Sequence, residues 1–275
     1  MAGVALLAVT SFWDDRAGLH PAVRLAVHGI AALGVVYGAG LAVASVPIPA
    51  LGVVAFGGLA SSLTVLGVMW MISLYNFMDG MDGFAGGMTV VGFGVLGCLA
   101  ATAAMFDLAV VSLLVAAAAF GFLRWNWPPA RIFMGDTGSI PLGFLAGTFI
   151  VMGIVRKGWD LWAGLLLFAP FVVDGCVTLL RRGLRGTRVW EAHREHYYQR
   201  LVLAGWSHRQ TVLAEYVLML TSAVTAVLYI QSNETVRTGI LLMSVGVYAG
   251  LAWAVRAVER QAWHRRGVGV KGVPQ

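Results

Sequence analysis

Charged side chains are scarce in this sequence. Of its 275 residues only 12% are Asp, Glu, Lys or Arg, where a soluble domain carries about 25%. With 59% hydrophobic residues and a mean hydropathy of +0.80, the chain has too little polar surface to enclose a core in water. That excludes an ordinary soluble enzyme or binding module and leaves an integral membrane protein. Cysteine is nearly absent too. Cys98 and Cys176 both lie inside apolar runs, at no spacing that suits a disulfide framework or a thiolate metal site; they are expected as small core residues. Acids are outnumbered by bases, 13 to 19, for a net charge of +6. In a soluble chain that excess would raise nucleic acid as a partner. In a membrane chain the anionic inner leaflet, or a phosphorylated substrate, accounts for it, and no nucleic acid is expected.

What the chain has in abundance is long apolar runs. A bilayer core asks for about 20 apolar residues in a helix. Eight runs read as full spans, at 20–44, 50–72, 84–104, 106–123, 140–155, 160–180, 211–230 and 238–256. The fifth is short and glycine-rich. The stretch 1–13 is apolar but too short to cross on its own, has no basic leader or cleavage site, and runs into Asp14-Asp15. It reads as the tail of a helix that begins outside this sequence. The expected fold is therefore all-α: a polytopic bundle, residues 1–275 forming one integral membrane domain with eight full spans plus a partial first helix, and 181–210 its longest polar loop. Gly34 and Gly38 form a small-xxx-small pair of the kind that packs helices within a chain or between the two copies of a homodimer, but such pairs are common and this one carries no assignment by itself.

Threading these spans in alternation sorts the bases onto two sides. Arg156, Lys157 and Arg237 fall on one side and the other sixteen of the 19 on the opposite one. By the positive-inside rule the rich side is cytoplasmic. The same side collects Asp14, Asp15, Asn76, Asp79, Asp82, Asn126, Asp136, His193 and His196. A one-sided gathering of carboxylates, amides and imidazoles describes a catalytic face; a transporter would set ionisable groups near the midplane of broken helices.

Four clusters carry the chemistry. In Trp13-Asp14-Asp15-Arg16 two adjacent acids repel, so one is expected to hold its proton unless a cation sits beside them; the bland reading is a solvated helix end with Arg16 as counter-ion. In the run from Asn76 to Gly87, a continuous helix would fan Asn76, Asp79 and Asp82 over one face, an oxygen set that suits a hard cation such as Mg²⁺; the bland reading is a polar turn. In Trp125-Asn126-Trp127-Pro128-Pro129-Ala130-Arg131 and the following Phe133-Met134-Gly135-Asp136-Thr137-Gly138-Ser139, glycines flank one acid in a turn whose N–H groups would bind an anion. Asn126 there reads a nucleobase edge or serves only the turn. In the fourth cluster, His193, His196 and Arg200 would share one helical face able to clamp a pyrophosphate; a basic membrane-hugging loop is the alternative. Asp174, at the end of a span, is either functional or bonded to a nearby Thr or Arg.

Together, Asp14-Asp15, the Asn76–Gly87 run, Phe133–Ser139 and the His193–Arg200 block, in this order along the chain, resemble the motifs of the polyprenyl-phosphate N-acetylhexosamine-1-phosphate transferases. These form glycosyltransferase family 4, in one superfamily with the phospho-MurNAc-pentapeptide translocases. The resemblance implies transfer of GlcNAc-1-phosphate or a related N-acetylated amino sugar phosphate from a UDP-sugar to undecaprenyl phosphate, releasing UMP. It implies Mg²⁺, with Mn²⁺ as a substitute, and an active site on the cytoplasmic face of the inner membrane. By matching positions, Asn76 and Asp136 would hold the metal with Asp79 beside them. Asp82, Asn126 and Arg131 would bind substrate, the first two lining the uridine pocket. His193, His196 and Arg200 would grip the pyrophosphate, and Asp14, with Asp15, would receive the lipid phosphate's proton. The family pattern has two more spans and a basic loop before the double aspartate, so the resemblance implies a start outside this sequence. The block reads His-Arg-Glu-His, without the adjacent histidines of the peptidoglycan branch, which points to an O-antigen, capsule or teichoic-type pathway. A transporter or lipid flippase would need midplane charges and an internal repeat, neither of which the sequence has. An inactive paralogue would keep the same motifs.

Overall fold

The computed structural model describes residues 1–187 and 194–265. Among them the architecture is the expected helical bundle. Helix α1 (Ala2–Ala17) ends where Gly18 takes a left-handed φ of 67° and returns its N–H to the Asp14 carbonyl. Helix α2 (Pro21–Leu33) starts on Pro21, whose fixed φ suits a first helical turn, with His20 Nδ1 accepting the Ala22 N–H. It closes in a π-helical turn over Gly34–Gly38. A Cβ on Gly34 or Gly38 would meet nothing within 4 Å, so among the described residues the pair makes no close helix contact.

The two spans expected at 20–44 and 50–72 are both corrected. A short antiparallel hairpin, β1 (Ser45–Ile48) and β2 (Gly52–Ala55), occupies the middle of that stretch, with Val46 opposite Val54. Pro47 and Pro49 are the reason: neither donates an N–H, and both clash with a preceding helical turn. Helix α3 (Ala60–Met78) therefore runs six residues further than expected and carries Asn76 in its last turn. The chain then leaves the helix at Asp79, turns through Gly83 at a φ of 76°, and re-enters at Phe84. Asn76, Asp79 and Asp82 thus do not share one helix.

Helices α4 (Phe84–Thr102) and α5 (Phe106–Asn126) form a tight antiparallel pair. Helix α6 (Gly135–Val155) is longer than the expected 140–155 and includes the whole Gly-Asp-Thr-Gly segment in its first turn. The expected span at 160–180 is two helices, α7 (Leu161–Leu167) and α8 (Ala169–Leu184), bent by 89° at Phe168. After the short α9 (Tyr197–Leu203) come α10 (His208–Gln231) and α11 (Glu234–Arg265), the last reaching about 48 Å at 1.5 Å per residue. Among the described residues seven helices are long and apolar enough to cross a membrane, eight if α7 and α8 count as one.

The core is built where glycine lets helices touch. Gly143 and Gly147 of α6 face Met71, Ile72 and Val68 of α3, and Gly175 of α8 faces Leu74. Around this seam Tyr75, Phe93, Phe149, Phe168 and Phe171 meet edge to face, with Phe84 tilted against Phe171. Cys98 and Cys176 lie on the outside of the bundle rather than in the core, as free thiols. At one end, Arg156 pairs with Asp107, Trp162 Nε1 donates to the Pro47 carbonyl, and Glu234 accepts the Ala50 N–H. The polar motifs meet at the other end.

Candidate active site

Four helix ends converge on a chain of charges. Asp14, in the last turn of α1, accepts the Leu19 N–H on Oδ1 at 2.6 Å and Arg24 Nη1 on Oδ2 at 2.9 Å. The same Nη1 reaches Asp136 Oδ2 at 3.4 Å. Asp136 Oδ1 in turn accepts Asn76 Nδ2 at 2.6 Å, and that amide nitrogen also donates to Ser139 Oγ at 3.2 Å. Asp14, Arg24, Asp136 and Asn76 thereby link α1, α2, α6 and α3. The cation beside the double aspartate is Arg24. Arg16 lies over the Phe12 ring, 4.2 Å from its centroid. In the sequence Arg24 is one of sixteen bases on the rich face, and its mark is a lone cation one turn inside an apolar run.

Asp15 has a separate task. Its Oδ2 accepts both the N–H and the hydroxyl of Thr137, at 3.2 and 2.7 Å. The backbone donors read as an anion site at Gly135–Gly138 are the open end of α6, and the protein's own carboxylate takes one of them, where the helix dipole favours a negative charge. Asp79, just past α3, is the electrostatic outlier of the site. Burial pushes its carboxyl up to about 7, the nearby Asp136 adds to the push, and a backbone hydrogen bond at Gly135 opposes it.

Asp82 and Asn126 stitch two loops together. Asn126 is buried, accepts the Gly83 N–H at 2.9 Å and donates to the Ile132 carbonyl at 2.9 Å. Both ends of its amide thus hold the turn between Gly83 and Ile132. Asp82 accepts the Ala130 N–H at 3.0 Å and has His208 Nδ1 at 3.6 Å. Arg131 is exposed, its guanidinium over the Trp125 ring at 5.8 Å.

The expected His/Arg helical face is corrected. His193 lies outside the described residues. His196 is the extended residue before α9, only 2% exposed, with Nδ1 3.1 Å from Asp174 Oδ1. Asp174 also accepts Thr178 Oγ1 and the Tyr197 and Tyr198 N–H groups, so it anchors the start of α9. Arg200 is on α9 itself and pairs with Glu259 of α11. His196 and Arg200 therefore point to different partners. What α9 does is dock beside the site: Tyr198 donates to the Phe77 carbonyl, and a Cβ on Gly80 would lie 2.3 Å from its hydroxyl.

A bundle of membrane-crossing helices with carboxylates, an amide and a guanidinium gathered at one end defines a polytopic membrane protein with an enzyme-like polar centre. The comparisons name its family. Residues 1–154 match the model of glycosyl transferase family 4, and the chain belongs to that family. It is 28% identical, over 82% of its length, to a probable undecaprenyl-phosphate N-acetylglucosaminyl 1-phosphate transferase of Bacillus subtilis, of which it spans 63%. It is 27% identical, over 94% of its length and 70% of the relative's, to decaprenyl-phosphate N-acetylglucosaminephosphotransferase of Mycobacterium tuberculosis. A phospho-N-acetylmuramoyl-pentapeptide-transferase of Listeria welshimeri is 31% identical over 58% of this chain and 49% of its own.

Proposed function

We propose that this chain moves a sugar 1-phosphate, GlcNAc-1-phosphate or a related N-acetylated amino sugar phosphate, from a UDP-sugar to undecaprenyl phosphate and releases UMP. The reaction takes place at the cytoplasmic face of the inner membrane and begins a cell-envelope polysaccharide such as O-antigen. The carrying observation is the continuous Asp14–Arg24–Asp136–Asn76 chain between four helix ends. Relatives named for transfer of N-acetylglucosamine phosphate to prenyl phosphates support the same reading.

The site suits a divalent cation. Asp136 lies close enough to Asp79 to disfavour the ionisation of the Asp79 carboxyl. Asn76 has spent its amide nitrogen, and its oxygen makes no hydrogen bond among the described residues. Two carboxylates and an amide oxygen are hard donors of the kind Mg²⁺ takes, an ion that keeps water and substrate phosphates as its other ligands. Asn76, Asp79 and Asp136 would hold it, and when bound it would neutralise pyrophosphate charge.

The chain's own residues then have defined tasks. An oxygen of the lipid phosphate attacks the phosphorus that bears the sugar; the bond from that phosphorus to the UMP oxygen breaks, and a lipid-linked pyrophosphate forms. Asp14 takes the proton of the acceptor phosphate, and Arg24 offsets the negative charge brought into the site. Asp15 fixes the first turn of α6 and with it Asp136. Catalysis is then mainly positioning and charge compensation.

Membranes carrying the chain, given radiolabelled UDP-N-acetylamino sugars and undecaprenyl phosphate, are expected to yield label in the lipid fraction. Chelation should abolish the signal, and Mg²⁺ or Mn²⁺ should restore it. Inserted protein that labels no lipid with any such donor sinks the reading.

A further inference from the structure

The bonded pair of Asp14 and Arg24 stands at one end of a cleft between α1 and α2. Leu7 and Asp14 line it from α1, Arg24, Val27 and His28 from α2, and Ile140 from α6. It encloses about 200 Å³, part of it open to the surroundings. Each helix contributes in the same order. Asp14 is in the last turn of α1 and Leu7 lies two turns deeper; Arg24 is in the first turn of α2 and Val27 and His28 lie one turn deeper. Asp136, bonded to Arg24, opens α6 and Ile140 lies one turn deeper. At 1.5 Å per residue the cleft descends roughly 10 Å from a charged rim to an apolar floor.

His28 interrupts that gradient. The residue is only 9% exposed, and its Nδ1 is buried without a hydrogen-bond partner among the described residues. Buried polar groups are almost always paired, so an unpaired imidazole on the wall of a cleft points to a ligand. One turn above it, Arg24 is only partly used. Both of its carboxylate contacts go through Nη1, and its side chain is 39% exposed, which leaves further N–H groups for an anion. A cation at the rim, one polar group inside and an apolar floor suit a ligand with an anionic head and a slender apolar chain. A nucleotide, polar at both base and ribose, finds no partners on Leu7, Val27 and Ile140.

Resting on the transfer reading, we infer that this cleft seats the head of the acceptor lipid and that His28 recognises it. The lipid phosphate lies at Arg24 with Asp14 beside it. His28 donates a ring N–H to the ester oxygen that joins phosphate to chain, and the first isoprene unit lies against Leu7, Val27 and Ile140. The prenyl chain thereby reaches the polar centre between α1 and α2.

The full-length chain in nanodiscs is illuminated with a prenyl phosphate carrying a diazirine on its first isoprene unit, with no UDP-sugar present. Crosslinks are expected in the peptides that hold α1 and α2, competed away by undecaprenyl phosphate and not by inorganic phosphate. Initial rates are then compared for wild type, His28→Leu and His28→Asn. His28→Leu is expected to raise the acceptor KM by about tenfold, the worth of one hydrogen bond to a charged group, with the donor KM little changed. His28→Asn keeps an N–H donor at similar reach and should stay within about threefold of wild type. Crosslinks confined to other helices, no crosslink, or competition by inorganic phosphate would overturn the seat. A wild-type acceptor KM in His28→Leu, the result expected of a water-filled packing gap, would overturn the role of His28. The crosslink needs no variant, so it decides even where His28→Leu melts early. Crosslinking in the cleft without turnover by wild type would overturn the transfer reading alone.

Discussion

Asp136→Asn is expected to lower transfer by at least about a thousandfold, roughly 4 kcal/mol of transition-state stabilisation, while the chain still inserts in the membrane. The substitution keeps the shape of the side chain and removes its charge. Asp136 joins two neighbours that arrive from different helices, Asn76 at 2.6 Å and Arg24 at 3.4 Å. Both present N–H donors to it. An amide at this position turns one acceptor into a further donor, so it faces either Asn76 Nδ2 or Arg24 Nη1 unfavourably. It also removes one of the two carboxylates proposed to hold the divalent ion. Folding should be spared, because the α3–α6 seam lies deeper, at Gly143 and Gly147. Initial rates at saturating Mg²⁺, normalised to inserted protein, are the measurement; turnover within tenfold of wild type would refute the assignment.

The second large effect is on the fold. Gly143→Ala should lower the thermal midpoint in detergent and transfer together. A Cβ on Gly143 would sit 2.5 Å from the Met71 carbonyl oxygen and 2.8 Å from the Ile72 Cα, both backbone atoms that cannot rotate away. Helices α3 and α6 would have to separate, at about 1–3 kcal/mol or more for overpacking. Small residues are what lets two membrane helices approach this closely. Asn76 stands one turn beyond Ile72, so the separation would stretch its bond to Asp136. Gly34→Ala is the matched control, since nothing lies within 4 Å of Gly34. Equal melting of Gly143→Ala and wild type would disprove the close contact.

The helical spans were legible because an apolar run of this length has few other uses. The double aspartate, Asn76, Asp79 and Asp136 stood out for a related reason: polar groups at the ends of apolar runs are conspicuous. The hairpin at 45–55 was not, since Val, Ile and Leu serve a short strand as well as a span, and only Pro47 and Pro49 marked the difference. The break after Met78 and the bend at Phe168 were hidden in the same way, because helix ends inside apolar sequence depend on tertiary packing. Asn126 and His196 show a second limit. An amide bonded to Gly83 and Ile132 looks the same in sequence as one that meets a nucleotide. A histidine held by Asp174, 22 residues away, looks the same as one facing a phosphate. Arg24 and Glu259 matter through partners on other helices, and no local pattern announces such pairs.

Helix α11 is tied to the rest of the molecule along its length: Glu234 at the hairpin, Arg237 at the Tyr229 and Ile230 carbonyls, Tyr248 at Ser222, and Glu259 at Arg200. From the first to the last is roughly 38 Å at 1.5 Å per residue, more than the roughly 30 Å of a bilayer's hydrocarbon core. A thinner or thicker host membrane tilts a lone peripheral rod, and with its far end fastened the displacement arrives at Glu259. Lipid acyl length is therefore expected to strain the Glu259–Arg200 pair, read as a thermal midpoint that changes with the lipid used.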